Sequence, residues 1–288
     1  MKDTWKIGAG ASLTARMFRE TGVEETFCRL KEMGISALEL PLSLWEEAKA
    51  EEILEVKDIY DMEICSMVTA VQEENGTDEP NASGTCGWAR FLTLAELMGC
   101  AHFRSVRPKP EVWESRESAL SYIRDSESAA CNLAKHGVAY SHQTWIFECT
   151  RYGMVNGIEL LMGNSSFLKL AVQPYWIQYG GLKPKDIIER YQGREEILYL
   201  EDYQVEARDP SAPMKRPEPG EPSPNAKLLK TADIGEGNLA IPSLLSTAEA
   251  AGIRRVLIEK EYLYGGDVWD SLRVSCENLR RMGFSGHF

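Results

Sequence analysis

The chain has no Cys-x-x-Cys pair, no surplus of positive charge and no uninterrupted apolar run near the ~18 residues that would span a bilayer. Each absence removes a class of function. Without Cys-x-x-Cys there is no support for a zinc ribbon or a thioredoxin-type centre. With 32 Lys and Arg against 44 Asp and Glu, the net charge of −12 argues against nucleic acid and anionic membrane surfaces as partners. Histidine is scarce, with four in 288 residues. No Gly-x-Gly-x-x-Gly follows the first apolar run, which weakens a dinucleotide-binding reading. Met1 to Lys6 lack the apolar core of a signal peptide. The seven cysteines are scattered and lie mostly in apolar segments, as expected of reduced thiols in a cytoplasmic protein. No internal repeat or low-complexity tract breaks the chain.

What is present is alternation. Short apolar runs at 6–9, 37–40, 63–68, 102–106, 137–141, 168–173, 197–200 and 256–259 are separated by helical patterns at 23–33, 46–60, 89–98, 115–135, 158–162, 184–191 and 241–251. Gly34, Gly99, Gly137 and Gly252 stand just past predicted helices, where a left-handed residue ends a helix before the next strand. Eight strands in strict alternation predict one α/β domain over residues 1–288, a closed (β/α)₈ barrel. Two connections exceed the usual two to six residues, at about 69–87 and 204–232. Both follow strands, which places them at the C-terminal mouth as lids or binding walls; the second is Pro-rich.

The run from Asp233 to Gly283 carries a resemblance. Ile234-Gly235-Glu236-Gly237-Asn238-Leu239 precedes a helical pattern. A strand, Arg255-Val256-Leu257-Ile258, then ends in Glu259, and a helix follows that contains Ser275, Glu277, Asn278 and Leu279. This order resembles the sugar phosphate isomerase/epimerase family, the xylose isomerase-like TIM barrels. The likeness extends over nearly the whole chain and is strongest after residue 165. It implies a barrel with a sugar pocket and, in the family, a divalent metal held by carboxylates and imidazole from several strand ends, which polarises a carbonyl during proton transfer. Here the family's pattern is altered. Tyr140-Ser141-His142-Gln143 stands where the similar subfamily has Tyr-His-Asn-His. Gln173, before Pro174-Tyr175-Trp176, replaces a ligand Asp, and Tyr199, before Leu200-Glu201-Asp202-Tyr203, replaces a ligand His. Only Glu259 keeps its type, so the resemblance implies a degenerate site. No cofactor is expected, with Mn²⁺ or Mg²⁺ open only if Glu259 and His142 form a rearranged site.

The expected chemistry is acid–base work on a sugar or sugar derivative, with Glu259 and His142 as catalytic residues. A Glu in an apolar-walled barrel has its pKa raised by desolvation, which suits it to that role. Ser141, Gln143, Gln173 and Tyr199 form a polar rim for hydroxyl groups, and Trp176 offers a ring for a sugar face, in an aromatic set with Tyr175, Tyr179, Trp145 and Trp45 near predicted strand ends. Glu39 ends the second strand and is expected to point into the site. Arg104 and Arg107, with Lys109 close by, are a candidate clamp for a phosphate or carboxylate; a surface ion-pair role is the alternative. A barrel that has lost catalysis and serves as a carbohydrate-binding or partner subunit fits the same polar retention. A small-molecule sugar is the expected partner, and a homo-oligomer is compatible with the composition.

Overall fold

The structure, a computed structural model, describes residues 5–41, 47–69, 88–205, 229–261 and 266–288. Eight strands close into a barrel in which every neighbouring pair is parallel. They are β1 (Lys6–Ala9), β2 (Ala37–Leu40), β3 (Glu63–Thr69), β4 (His102–Ser105), β5 (Ala139–Gln143), β6 (Lys169–Val172), β7 (Glu195–Leu200) and β8 (Arg255–Ile258). Around them run α1 (Ala11–Thr21), α2 (Val23–Glu32), α3 (Glu47–Lys57), α4 (Trp88–Met98), α5 (Arg116–Ala134), α6 (Gly157–Gly163), α7 (Pro174–Tyr179), α8 (Pro184–Arg190), α9 (Ile241–Ala251) and α10 (Val268–Leu279). Among the described residues no helix is long and apolar enough to cross a membrane.

Strands buried on both faces need apolar residues at consecutive positions, which is why their sequences do not alternate cleanly. One face packs on the helices through Ile7, Leu38, Ile64, Phe103, Leu170, Leu198 and Val256. The other fills the barrel with Ala37, Cys65, Ala171, Ile197, Tyr199 and Leu257. A register shift between Leu38 and Glu39 sets Ser66 opposite Glu39, so Cys65 and Ser66 both serve the interior. Above this packing the lumen turns polar toward the C-terminal mouth.

The structure differs from the expected elements in ways that matter for the mouth. The fifth strand begins at Ala139 rather than 137, because Gly137 is in a left-handed turn (φ 74). Two helices, α1 and α7, were not foreseen. The 204–232 connection is shorter than expected at both ends, since Asp202–Val205 and Leu229–Ala232 pair as an antiparallel ribbon. Of the two connections expected as lids or walls, at about 69–87 and 204–232, residues 70–87 and 206–228 lie outside the described residues, as do Trp45 and Cys86.

The ribbon is anchored by Asp202, which is fully buried. Its carboxylate accepts the N–H groups of Tyr203 (2.8 Å), Leu239 (3.0 Å), Gly235 (3.1 Å) and Gly237 (3.1 Å), and so ties the Gly235-Glu236-Gly237 turn to the end of β7. A side chain at 237 would put its Cβ 2.2 Å from the Asp202 carboxylate, so only glycine allows this approach. Four backbone donors on one carboxylate make Asp202→Ala costly. We expect a loss of about 3 kcal/mol or more and a drop in Tm of several degrees, with Asp202→Asn intermediate, read by thermal melts.

Candidate functional site

The lumen is organised around Glu39 at the end of β2. Arg104, from β4, donates from Nε and one terminal nitrogen to its two oxygens at 3.1 and 3.0 Å, a bidentate fork. Tyr199 donates its hydroxyl at 2.6 Å, Ser66 at 2.9 Å, and the Ala11 N–H reaches the second oxygen at 3.2 Å. Burial alone would raise the pKa of Glu39. The charge of Arg104 and the hydrogen bonds from Arg104, Tyr199 and Ser66 outweigh it, and the carboxyl titrates below its ordinary value. Burial pushes the Tyr199 phenol well up, so it stays protonated.

Ser66 spends its only proton on Glu39 and must accept from His102 Nδ1, 2.9 Å away. His102 Nε2 then accepts from Ser141 Oγ at 2.7 Å. Burial, with Arg255 and Arg104 nearby, drives the His102 pKa well down, so the imidazole is neutral.

Two further carboxyls end β7 and β8. Glu259 accepts the N–H groups of Lys260 (2.9 Å) and Ser12 (3.3 Å). Adjacent amides of the first turn of α1 thus serve Glu39 and Glu259, and a Cβ at Gly10 would lie 2.6 Å from Glu259 Oε2. Glu201 accepts from Gln173 Nε2 (2.7 Å) and from the Glu261 N–H (3.1 Å). Burial, and then the negative charge of Glu39, raise the Glu259 pKa to about 7 against the opposing pull of Arg104. Burial raises Glu201 to about 8, helped by Glu259 and Glu261. A relay of amides continues round the mouth, Gln143 Nε2 donating to Gln173 Oε1 at 2.7 Å.

Over these carboxyls, Arg107 lies on the face of Trp145, 3.4 Å from the ring centre, and pairs with Glu261. Arg107 follows β4 and Glu261 follows β8, strands on opposite sides of the eight-stranded ring, so this ion pair spans the mouth. Trp145 meets Trp176 at 5.8 Å, and Tyr175, Tyr179 and Tyr203 extend the aromatic wall. Gln143 Oε1, Glu261 Oε2 and the indole nitrogens of Trp145 and Trp176 are buried with no hydrogen-bond partner among the described residues. Buried polar atoms of this kind are what a hydroxylated ligand would satisfy.

Of the residues singled out from the sequence, Glu39, Arg104, Tyr199 and Glu259 face the same lumen. Gln143 and Gln173 adjoin them, Trp176 and Arg107 lie on the rim, and Ser141 sits beneath, tied to His102. His142 is the correction. The pleat that turns Ser141 and Gln143 inward turns His142 outward, against α5. There it is fully buried, bonded to Tyr122 (2.9 Å) and Glu148 (2.8 Å). Glu148 also accepts the Trp145 N–H at 2.7 Å, so His142 braces the turn under Trp145 and does not meet Glu259. Arg104 and Arg107 are not a clamp of unpaired cations, since each is paired with its own carboxylate. Sequence reading missed Glu201, Ser66, His102 and the α1 amides. Glu201 carried the signal that found Glu259, an apolar strand ending in a carboxylate.

The donor set does not fit the divalent ion that the resemblance implies. Ser141 is engaged with His102. Both ends of the Gln173 amide are used, and Tyr199 remains a phenol that donates to Glu39. Among the described residues no group of three or more His, Cys, Asp or Glu is arranged to hold a metal, and the Arg104 cation already occupies the carboxylate of Glu39.

Solved structures share this barrel. A sugar phosphate isomerase/epimerase from Parabacteroides distasonis ATCC 8503 matches 98% of this chain and 96% of its own, with TM-score 0.70 and 15% identity. A probable 3-DHS dehydratase from Bacillus anthracis matches at TM-score 0.63 and 14% identity, over 95% and 98% of the two chains. The apo form of a 3-keto-D-glucoside 4-epimerase from E. coli matches at 0.59 and 12%, over 97% and 99%. No family model matches the sequence, and no curated protein does. At such identities the likeness shows the fold, a (β/α)₈ TIM barrel.

A carboxyl whose pKa is higher in the fold than its ordinary value near 4.5 stabilises the fold at low pH. That contribution is complete below the ordinary value and is lost as pH rises through about 7 for Glu259 and about 8 for Glu201. Glu201→Gln, neutral throughout, is therefore expected to gain Tm over the parent as pH rises from about 5 to about 8.5. A gap between the two melting profiles that stays constant with pH would contradict this.

Proposed function

We propose that this chain is a sugar isomerase- or epimerase-like protein that acts on a sugar or sugar derivative by acid–base chemistry without a divalent metal. The observation that carries the reading is the pair of buried carboxyls on neighbouring strands, Glu259 and Glu201, titrating near 7 and 8 beside unpartnered polar atoms of Gln143, Trp145 and Trp176. Groups poised near neutral pH can both take and return a proton, which is what moving a carbonyl or inverting a carbon beside one requires. Glu259 is the proposed base. Glu201, held by Gln173 and neutral at pH 7, is the proposed acid, the role that His142 cannot take from the outer layer. The indole and amide groups are the proposed hydroxyl partners, and Trp176 and Trp145 the surface for the apolar face of a sugar. Support from fold neighbours is general: structures described as sugar phosphate isomerase/epimerase and 3-keto-D-glucoside 4-epimerase use this architecture.

A second reading, a non-catalytic carbohydrate-binding or partner subunit, is favoured by one observation. Tyr199, Ser141 and Gln173 are all engaged by protein partners, as in a structural polar core. One substitution separates the two. Glu259→Gln should lower turnover of a keto- or aldo-sugar by about 10³-fold or more while ligand affinity changes within about threefold. In the parent, kcat/KM should rise with pH through about 7, as Glu259 loses its proton. No turnover across a panel of sugars with and without phosphate, with binding retained in calorimetry, would favour the subunit reading.

A further inference from the structure

Among the described residues, Arg104 is the one buried cation that enters the lumen from the wall opposite Glu259. It stands on β4, and β4 and β8 are diametrically placed in the ring. It is 6% exposed, forked onto Glu39, and its guanidinium carbon lies 5.5 Å from the centre of the Tyr199 ring. Its third bond, from the other terminal nitrogen, goes to the Ser105 carbonyl at 3.1 Å. A guanidinium has five N–H groups, so two remain beyond the three bonded within the described residues. Its side chain is fixed from two sides, by the Glu39 fork and the Tyr199 ring, so presenting those two donors costs little ordering. The planar fork also means that Lys could not hold the same pose.

We infer that Arg104 is the built-in cation of this site, presenting its remaining N–H groups to a carbonyl oxygen of the ligand and doing electrostatically what a divalent ion does in a metal-bearing barrel. This rests on the acid–base reading of the same site. The step balances within the protein. The C–H proton next to the carbonyl passes to the Glu259 carboxylate, the C–H electron pair forms the carbon–carbon double bond, and the carbonyl π pair moves to oxygen as an enediolate charge facing Arg104. Return of that proton to the former carbonyl carbon, after the neighbouring hydroxyl proton has crossed to the oxygen, completes an isomerisation, restores Glu259 and needs no oxidant or co-reactant. The arrangement gives Glu39 a defined part as a positioning residue: it neutralises and aims the guanidinium.

The test uses Mn²⁺ itself as the probe and needs no substrate, so it stands apart from whether turnover is found. A fixed guanidinium among Glu39 and Glu259 repels a second cation; removing it leaves those carboxylates to attract one. The unmodified chain should show no stoichiometric Mn²⁺ by elemental analysis or electron paramagnetic resonance, and about 1 mM Mn²⁺ should leave its Tm unchanged. Arg104→Gln, whose amide can still donate to Glu39, should gain Mn²⁺ affinity and a Tm rise of about 5 °C or more with the ion, and Arg104→Gln with Glu259→Gln should lose both. If Arg104→Gln folds only when Mn²⁺ is supplied, that also supports the inference. Glu259-dependent Mn²⁺ binding by the unmodified chain overturns it. So does an Arg104→Gln chain that folds and ignores Mn²⁺, or that stays unfolded in its presence.

Discussion

The Glu39–Arg104 pair is the constraint on which the interior depends. A carboxylate placed in a barrel lumen without a partner would carry a large desolvation penalty, and so would a guanidinium. Here each ion answers the other through two parallel hydrogen bonds, and the remaining lone pairs of Glu39 are taken by Tyr199, Ser66 and the Ala11 amide. The rest follows from that arrangement. Tyr199 is positioned by its bond to Glu39, Ser66 directs the tautomer of His102, and His102 in turn fixes Ser141. Glu259 shares the end of α1 with Glu39 and takes part of its raised proton affinity from Glu39's charge. The same pair leaves the mouth carboxyls Glu201 and Glu259 without a cation of their own, and burial then keeps them near neutrality.

Much of the fold could be read from the chain because parallel strands buried on both faces announce themselves as apolar runs, and because helices end on glycine. The site was legible only in part. Glu259 stood out at the end of such a run, and Glu201, four residues after Ile197, offered the same cue. His142 was misplaced because side chains alternate along a strand with period two. Ser141 marked the end of the strand in the sequence, whereas the pairing carries β5 on to Gln143 with Ser141 and Gln143 inside. His102 was hidden by the same ambiguity at the start of its strand. The α1 helix was illegible for another reason. It opens on Gly10 with no side-chain cap and no acidic residue in its first turn, so the usual N-terminal signals are missing. A capping side chain or a Cβ at that point would collide with Glu259, which is why the signal is absent where the helix matters most.

The resemblance to metal-bearing barrels was accurate for architecture and uninformative for chemistry. Each altered position kept a polar side chain, yet the structure spends those side chains on one another: Ser141 on His102, Gln173 on Gln143 and Glu201, Tyr199 on Glu39. A fold transmits where strand ends point; it does not transmit what the side chains there are free to do.

Two of the Arg–Glu pairs among the described residues, one in the lumen and one at the mouth, lie in very different surroundings. Arg104–Glu39 is sealed from solvent, whereas Arg107–Glu261 crosses the entrance with the Arg107 side chain about one-third exposed. Dissolved ions weaken an exposed pair and leave a buried one almost untouched. Ionic strength therefore acts on the doorway and not on the room behind it, so the strength of the tie across the mouth is separable from how the buried carboxyls are held.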